Sequence, residues 1–266
     1  MTSQTYETIT LETDARGVAR LTLNRPDKHN ALNGQLIDDL KGAADRLAAD
    51  DSVRVVVLSG EGKSFCAGGD FNWFKGNAES DRATRIRESS KLAHMLNALN
   101  ALPKPLIGRI QGSAYGGGVG MISVCDIAVG VDTARFGLTE VRLGLIPATI
   151  SPHVVARIGA ANSRATMLSG ALFSAAKAEN IGLLNETVSP DDLDARIDAI
   201  IDEHLEAALG AVGETKRLIA FVASHSIDDN MIYTADRLAD AWETDEGSTG
   251  INSFLGKKLP PWRTGK

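Results

Sequence analysis

Only two cysteines, Cys66 and Cys125, occur in the 266 residues. They lie far apart in apolar or glycine-rich surroundings, with no metal-ligand spacing and no disulfide framework. Two buried free thiols in a reducing compartment are expected, and no metal site. An excess of positive charge is also lacking. The 28 Lys and Arg face 34 Asp and Glu, a net charge of −6, which argues against general nucleic-acid binding. Local basic spots remain available to an anionic ligand. No run approaches the roughly 18 apolar residues of a membrane span. Residues 1–7 lack the basic and apolar segments of a secretory signal. A cytoplasmic protein with no membrane partner is expected. Internal repeats and low-complexity linkers are absent too. At 43% hydrophobic and 23% charged, the composition is that of an ordinary globular protein. The length suits one large domain with an appendage.

The feature around which the chain is organised is a glycine cluster, Gly112-Ser113-Ala114-Tyr115-Gly116-Gly117-Gly118-Val119-Gly120. Residues 104–109 precede it as a short apolar run after a proline, which reads as a buried strand. Residues 119–125 follow as an apolar segment suited to a buried helix. Adjacent glycines let backbone approach backbone or ligand, because no Cβ intervenes. The free N–H groups at a helix start suit a phosphate, or an oxyanion formed during acyl chemistry. The spacing fits neither a dinucleotide fingerprint nor a P-loop. A second glycine loop, residues 60–70, ends in Ser64-Phe65-Cys66-Ala67-Gly68-Gly69-Asp70.

Around these loops the elements alternate. Residues 6–12 and 18–23 read as a hairpin. Asn33 can cap a helix to Ala49, with Leu36, Ile37, Leu40, Ala44 and Leu47 on one face. The β-branched run 53–58 predicts a strand covered on both faces. Residues 75–80 are polar and read as mobile. A helix over 82–102 follows, with Ile86, Leu92, Met95, Leu96 and Leu99 as its stripe. Residues 126–131 and 136–140 read as strands, and right-handed crossovers with parallel pairing follow. Beyond Pro147 the pattern is helical, apart from a strand over 184–188. The helices expected there span 151–158, 163–169, 175–181, 193–209, 214–223 and 227–245.

Several spaced motifs resemble the crotonase (enoyl-CoA hydratase/isomerase) superfamily over nearly the whole chain. They are Leu23-Asn24-Arg25-Pro26 with Asn30-Ala31-Leu32, then Ser64 to Asp70, Lys104-Pro105 and Gly116-Gly117-Gly118. Cys125-Asp126, Phe136-Gly137-Leu138-Thr139-Glu140 and Leu143-Gly144-Leu145-Ile146-Pro147 complete the set. The resemblance implies an α/β fold, with a spiral of ββα turns over 1–190 forming an acyl-CoA-binding core. It also implies a helical trimerisation region over 191–266, giving a homotrimer or dimer of trimers. Coenzyme A enters as part of the substrate, and no other cofactor is implied. Gly69 and Gly117 correspond to the two N–H donors that hold the thioester oxygen, and Glu140 to a catalytic acid/base. Ala67, Asp70 and Gly116 would line the site. Asp70 would fix its loop and Asp126 serve as a structural cap. His94 and His153 read as structural, and Cys66 lacks the paired base a nucleophile needs.

Two departures shape the functional expectation. The family's hydratases carry a first glutamate where this chain has Gly120, and glycine inside a helix costs about 1 kcal/mol relative to alanine. Space for substrate at Gly120 is the expectation drawn from it. Pro147-Ala148-Thr149-Ile150-Ser151-Pro152 replaces a glycine-rich stretch. Together these features are similar to bacterial methylglutaconyl-CoA hydratases of leucine breakdown and isohexenylglutaconyl-CoA hydratases of acyclic-terpene breakdown. The reading is a hydratase of a branched 2-enoyl-CoA. A Δ3-Δ2-enoyl-CoA isomerase using one glutamate and an inactive acyl-CoA-binding homologue are the alternatives. For the nucleotide phosphates the candidate cations are Arg25, Lys28, Lys63, Lys257 and Lys258. For a carboxylate on the acyl group they are Arg85, Arg87, Lys91 and Arg142.

Overall fold

The computed structural model describes residues 6–263. Four times in succession, two strands are followed by helix. The first unit is β1 (Ile9–Thr13), β2 (Val18–Leu23) and α1 (Gly34–Ala49). The second is β3 (Val55–Gly60), β4 (Ser64–Cys66), α2 (Phe71–Glu79) and α3 (Arg82–Asn100). The third is β5 (Leu106–Ile110), β6 (Ser113–Tyr115) and α4 (Gly117–Ser123). The fourth is β7 (Ile127–Val131), β8 (Arg135–Gly137) and α5 (Ser151–Met167). After these come β9 (Phe173–Ser174), α6 (Ala175–Asn180) and β10 (Glu186–Val188). The chain closes with α7 (Leu193–Leu205), α8 (Leu209–Val222), α9 (Ile227–Glu243) and α10 (Asp245–Leu255).

The first strand of each unit joins one sheet and the second, from β4 onward, joins another. The large sheet runs β1-β2-β3-β5-β7-β10, parallel except for the β1–β2 hairpin. All six residues of β3 are buried, as its unbroken apolar run requires. The small sheet runs β4-β6-β8-β9, its first three strands parallel. The loops leaving β4, β6 and β8 therefore emerge side by side at the carboxyl ends of neighbouring strands, where parallel sheets bind ligands.

Local chemistry accounts for the helix starts. Asn33 Oδ1 accepts from Leu36 N–H at 2.9 Å and begins α1. Asp70 caps α2 and Asp81 caps α3 in the same way. Lys104, whose motif alone suggests no role, is a buried clamp. Its ammonium donates to the carbonyls of Leu47, Ala48 and Asp50, closing the end of α1. Asp126 accepts from Leu106 N–H and pairs with Lys216, each at 2.7 Å, so it is a structural tie.

Several expectations need correction. Residues 71–79 form α2, not a mobile polar stretch, because the Asp70 cap and the aromatics Trp73 and Phe74 outweigh Gly76. Ile86 faces solvent at 49% exposure, so the buried stripe of α3 begins at Leu92. Residues 151–167 are helical on either side of a break at Gly159 (φ 75°, ψ 161°), in keeping with the two helices expected there, and residues 245–255 form an unforeseen helix. The expected strand over 136–140 ends at Gly137, and Glu140 instead opens a 3-10 turn, Glu140–Leu143.

The boundary expected at 190/191 falls ahead of α7. That helix buries Leu193, Ile197, Ile200, Ile201 and Leu205 in the common core. Helix α8 is tied back to the core through Lys216, but α8 to α10 leave many apolar side chains uncovered. There Ile219, Ile227, Met231, Ile232, Leu238, Trp242, Phe254 and Leu255 are each at least 60% exposed.

Candidate active site

The three glycine-bearing or acidic loops converge on one cavity of about 490 Å³. The loop after β4 supplies Ala67, Gly68 and Gly69; β6 and its turn supply Tyr115, Gly116 and Gly117; the turn after β8 supplies Thr139 and Glu140. Trp73, Phe74 and Asn77 of α2 and Arg85, Ser89 and Leu92 of α3 form another wall. Residues from Leu143 to Ile150 close it.

Backbone pairing orients the two glycine loops. Leu32 N–H donates to Gly68 O at 2.7 Å and Asp70 N–H donates to Leu32 O at 2.8 Å. This parallel bridge uses both neighbours of Gly69 and turns the Gly69 N–H away from Leu32. Gly117 is the first residue of α4, so its N–H has no acceptor within the helix. Gly116 N–H donates to Gly137 O at 2.9 Å, tying the second loop to the third.

That tie brings Glu140 against the glycine triplet. Gly116 has φ 49°, and a β-carbon there would lie 3.0 Å from Glu140 Oε1. Only glycine satisfies both the backbone and the carboxylate. Glu140 Oε2 is buried with no hydrogen-bond partner among the described residues. Burial pushes the Glu140 carboxyl above the usual glutamate range, opposed only by its own backbone N–H. Trp73 Nε1, in the same cavity, is likewise buried with no acceptor.

The other candidates separate clearly. Asp70 is buried behind the loop, not in the wall. It accepts from Arg25 Nη2 at 3.0 Å and from Asn72 N–H at 2.9 Å. Burial pushes its carboxyl upward, but these donors outweigh it and hold the group below the usual aspartate range. Lys28 and Lys63 lie exposed on flanking loops and do not line the cavity. Cys66 is pushed up to about 12 by burial, and so is Cys125; neither is a thiolate nucleophile. His94 and His153 do not reach the cavity.

Gly120 also stands outside the wall, which corrects the expectation of space for substrate there. A β-carbon on it would lie 2.7 Å from Ile150 Cγ2 and 3.5 Å from Leu96 Cδ1. Ile150 occupies the niche and itself lines the cavity. Of the four acyl-end cations only Arg85 reaches the site. Arg87 pairs with Glu88, Lys91 with Asp38 and Glu88, and Arg142 donates to Ser169 O. Sequence reasoning missed Trp73, Phe74 and Asn77, although Asp70 followed by an aromatic triplet interrupted only by Asn72 was a cap-and-helix signal. It also missed Ser89 and Tyr115, which carry no local signal.

Residues 13–265 match the enoyl-CoA hydratase/isomerase family. The chain belongs to that family. A putative enoyl-CoA hydratase of Thermus thermophilus is 32% identical over 245 residues, 91% of this chain and 96% of the relative. An enoyl-CoA hydratase structure from Shewanella pealeana superposes with a TM-score of 0.93 at 32% identity, covering 96% of both chains. A putative enoyl-CoA hydratase/isomerase structure from Legionella pneumophila is 36% identical, with a TM-score of 0.88 over 96% of this chain and 98% of that one. As in enzymes of this family, the substrate is an enoyl group carried as a coenzyme A thioester. Among the described residues no helix is long and apolar enough to cross a membrane, and no His/Cys/Asp/Glu cluster could hold a metal.

Proposed function

We propose that the enzyme hydrates a branched, methylglutaconyl-like 2-enoyl-CoA with Glu140 as its single acid/base. The observation that carries this reading is the orphaned, half-buried Glu140 carboxylate held against Gly116, one residue from the Gly117 N–H. The thioester oxygen sits between the Gly69 and Gly117 N–H groups, which stabilise negative charge as it develops there. Glu140 takes a proton from water while the water oxygen bonds to C3. The C2–C3 π pair moves toward C1 and forms the enolate. Glu140 then returns the proton to C2, the enolate collapses, and H and OH have been added across the double bond. A carboxyl raised above the usual glutamate range by burial suits both receipt and return of that proton.

A single carboxylate also fits a second reading, Δ3-Δ2-enoyl-CoA isomerisation, because Ile150 fills the niche at Gly120 where a second acid would stand. Incubation with 3-methylglutaconyl-CoA, a 3-enoyl-CoA and crotonyl-CoA separates the readings. A hydroxyacyl product from the first supports hydration; double-bond migration without added water overturns it in favour of isomerisation. Binding without turnover of any of them would overturn both and mark an acyl-CoA-binding homologue.

The wider reading is a cytoplasmic enzyme of leucine breakdown that needs no cofactor beyond the coenzyme A of its substrate. It works as a homotrimer or dimer of trimers, which the exposed apolar side chains of α8 to α10 support. Lys28, Lys63, Lys257 and Lys258 meet the nucleotide phosphates, whereas Arg25 is committed to Asp70. Acyl-CoA affinity then weakens with salt, since exposed charges are screened beyond about 8 Å at physiological ionic strength.

A further inference from the structure

Along α3 the main cavity adjoins a shallow, open groove of about 320 Å³, lined by Arg82, Arg85, Ile86, Ser89, Ser90, Ala93 and Thr149. Arg85, Ser89 and Thr149 line both spaces. Arg85 and Ser89 are four residues apart, with Leu92 three further on, so one face of α3 runs from apolar to cationic over roughly 10 Å.

The guanidinium at this junction is held but not neutralised. Arg85 Nε donates to Asn77 O at 2.8 Å and Nη2 to Ala78 O at 2.7 Å, fixing the side chain on the end of α2 and leaving Nη1 uncommitted. Neither Arg85 nor Arg82 forms an ion pair among the described residues, and Arg82 has no hydrogen bond there. The acid nearest in sequence, Asp81, is occupied in capping Thr84 N–H at 2.7 Å. On a chain of net charge −6, a guanidinium with Nη1 uncommitted, and with its neighbouring acid Asp81 engaged in a helix cap, suits an anion.

We infer that Arg85, backed by Arg82, is a subsite for a carboxylate at the far end of the acyl group, so that the substrates are coenzyme A monothioesters of dicarboxylic acids. The inference rests on the acyl-CoA reading above and names what selects the acyl group. The competing occupant is a long apolar chain threading from the cavity into the groove. It would leave the exposed Arg85 and Arg82 with water alone as their partner and gain nothing from their charge. A carboxylate accepts from Nη1 and supplies the missing charge.

Binding of unreactive saturated thioesters tests this apart from any chemistry. Calorimetry compares 3-methylglutaryl-, adipyl- and suberyl-CoA with isovaleryl-, hexanoyl- and octanoyl-CoA. The carboxylated member of at least one pair is expected to bind about tenfold tighter or more, as a charge-assisted hydrogen bond implies. Arg85→Met should abolish that preference and Arg85→Lys should keep part of it. Because Arg85 also caps α2, Arg82→Met serves as a variant that leaves those bonds intact, and it should reduce the preference as well. No preference in any pair, or a preference undiminished in Arg85→Met, overturns the subsite. Since no hydration occurs in this experiment, loss of the hydratase reading leaves its outcome standing, and the converse holds too.

Discussion

The loop after β4 and the turn after β8 each carry one carboxylate to the edge of the same cavity, and the fold treats them in opposite ways. Asp70 sits behind its glycines, fully engaged by Arg25 and the start of α2, and its carboxyl is held below the usual range. Glu140 sits in front of its glycines with one oxygen buried and unpartnered, and its carboxyl is raised. A partnered carboxylate stabilises the fold and resists protonation. An unpartnered one costs stability and is ready to exchange a proton. The difference separates a structural acid from a chemical one without reference to the reaction.

The sharpest way to break this contrast is Glu140→Gln. Shape and burial persist while the titrating group is lost, so turnover should fall by roughly 10²–10⁴-fold, the range of a general acid/base. Acyl-CoA affinity should survive in calorimetry, and near-normal turnover would refute the assignment. Gly116→Ala tests the seat and not the group. The added methyl both strains a backbone at φ 49° and displaces the carboxylate, so turnover should fall by about 10²-fold, as a misplacement near 1 Å can cause. Asp70→Ala should act on the other side of the comparison. Leaving Arg25 buried without its partner should cost about 3 kcal/mol, or roughly 6–12 °C in thermal midpoint for a chain of this size.

The smallest effects are in the pH dependence, and their signs differ. For Asp70, with its carboxyl depressed in the folded state, the stabilisation is present above the ordinary aspartate value and is lost as pH falls through the folded one. The Asp70→Ala deficit should therefore shrink in acid. For Glu140, with its carboxyl raised, the folded state is favoured most below the ordinary glutamate value. That advantage is lost as pH rises through the folded value. Glu140→Gln should accordingly melt slightly above wild type at neutral pH and converge with it in acid. Parallel pH trends for the two variants would remove the distinction drawn here.

How much of this was legible beforehand depended on range. Asn33 as a cap and β3 as a doubly covered strand rest on a few adjacent residues; the cap is where the sequence places it, and the strand lies two residues further on, at Val55–Gly60. The motif loops carrying Gly69, Gly117 and Glu140 were visible as residues, and the structure brings them to one cavity. The reason they meet was not visible. Strands β4, β6 and β8 are three residues each, too short to display alternation, and they pair across some 20 to 50 positions. Helix α10 escaped because Gly247, Ser248, Thr249 and Gly250 are weak helix formers that make its first half read as loop. The burial of Asp70 behind Arg25 depends on a contact across 45 positions, which no local pattern encodes.

The interlock between Gly120 and Ile150 has a consequence for how such a site can change through descent. A second acid at Gly120 is one substitution away in name, but its β-carbon meets Ile150. The route must begin at Ile150, where truncation to alanine leaves a cavity and costs about 2–5 kcal/mol. It then passes through an intermediate less fit than either end. Two-acid and one-acid lineages are thus separated by a barrier of order, and a library that varies either position alone will not cross it.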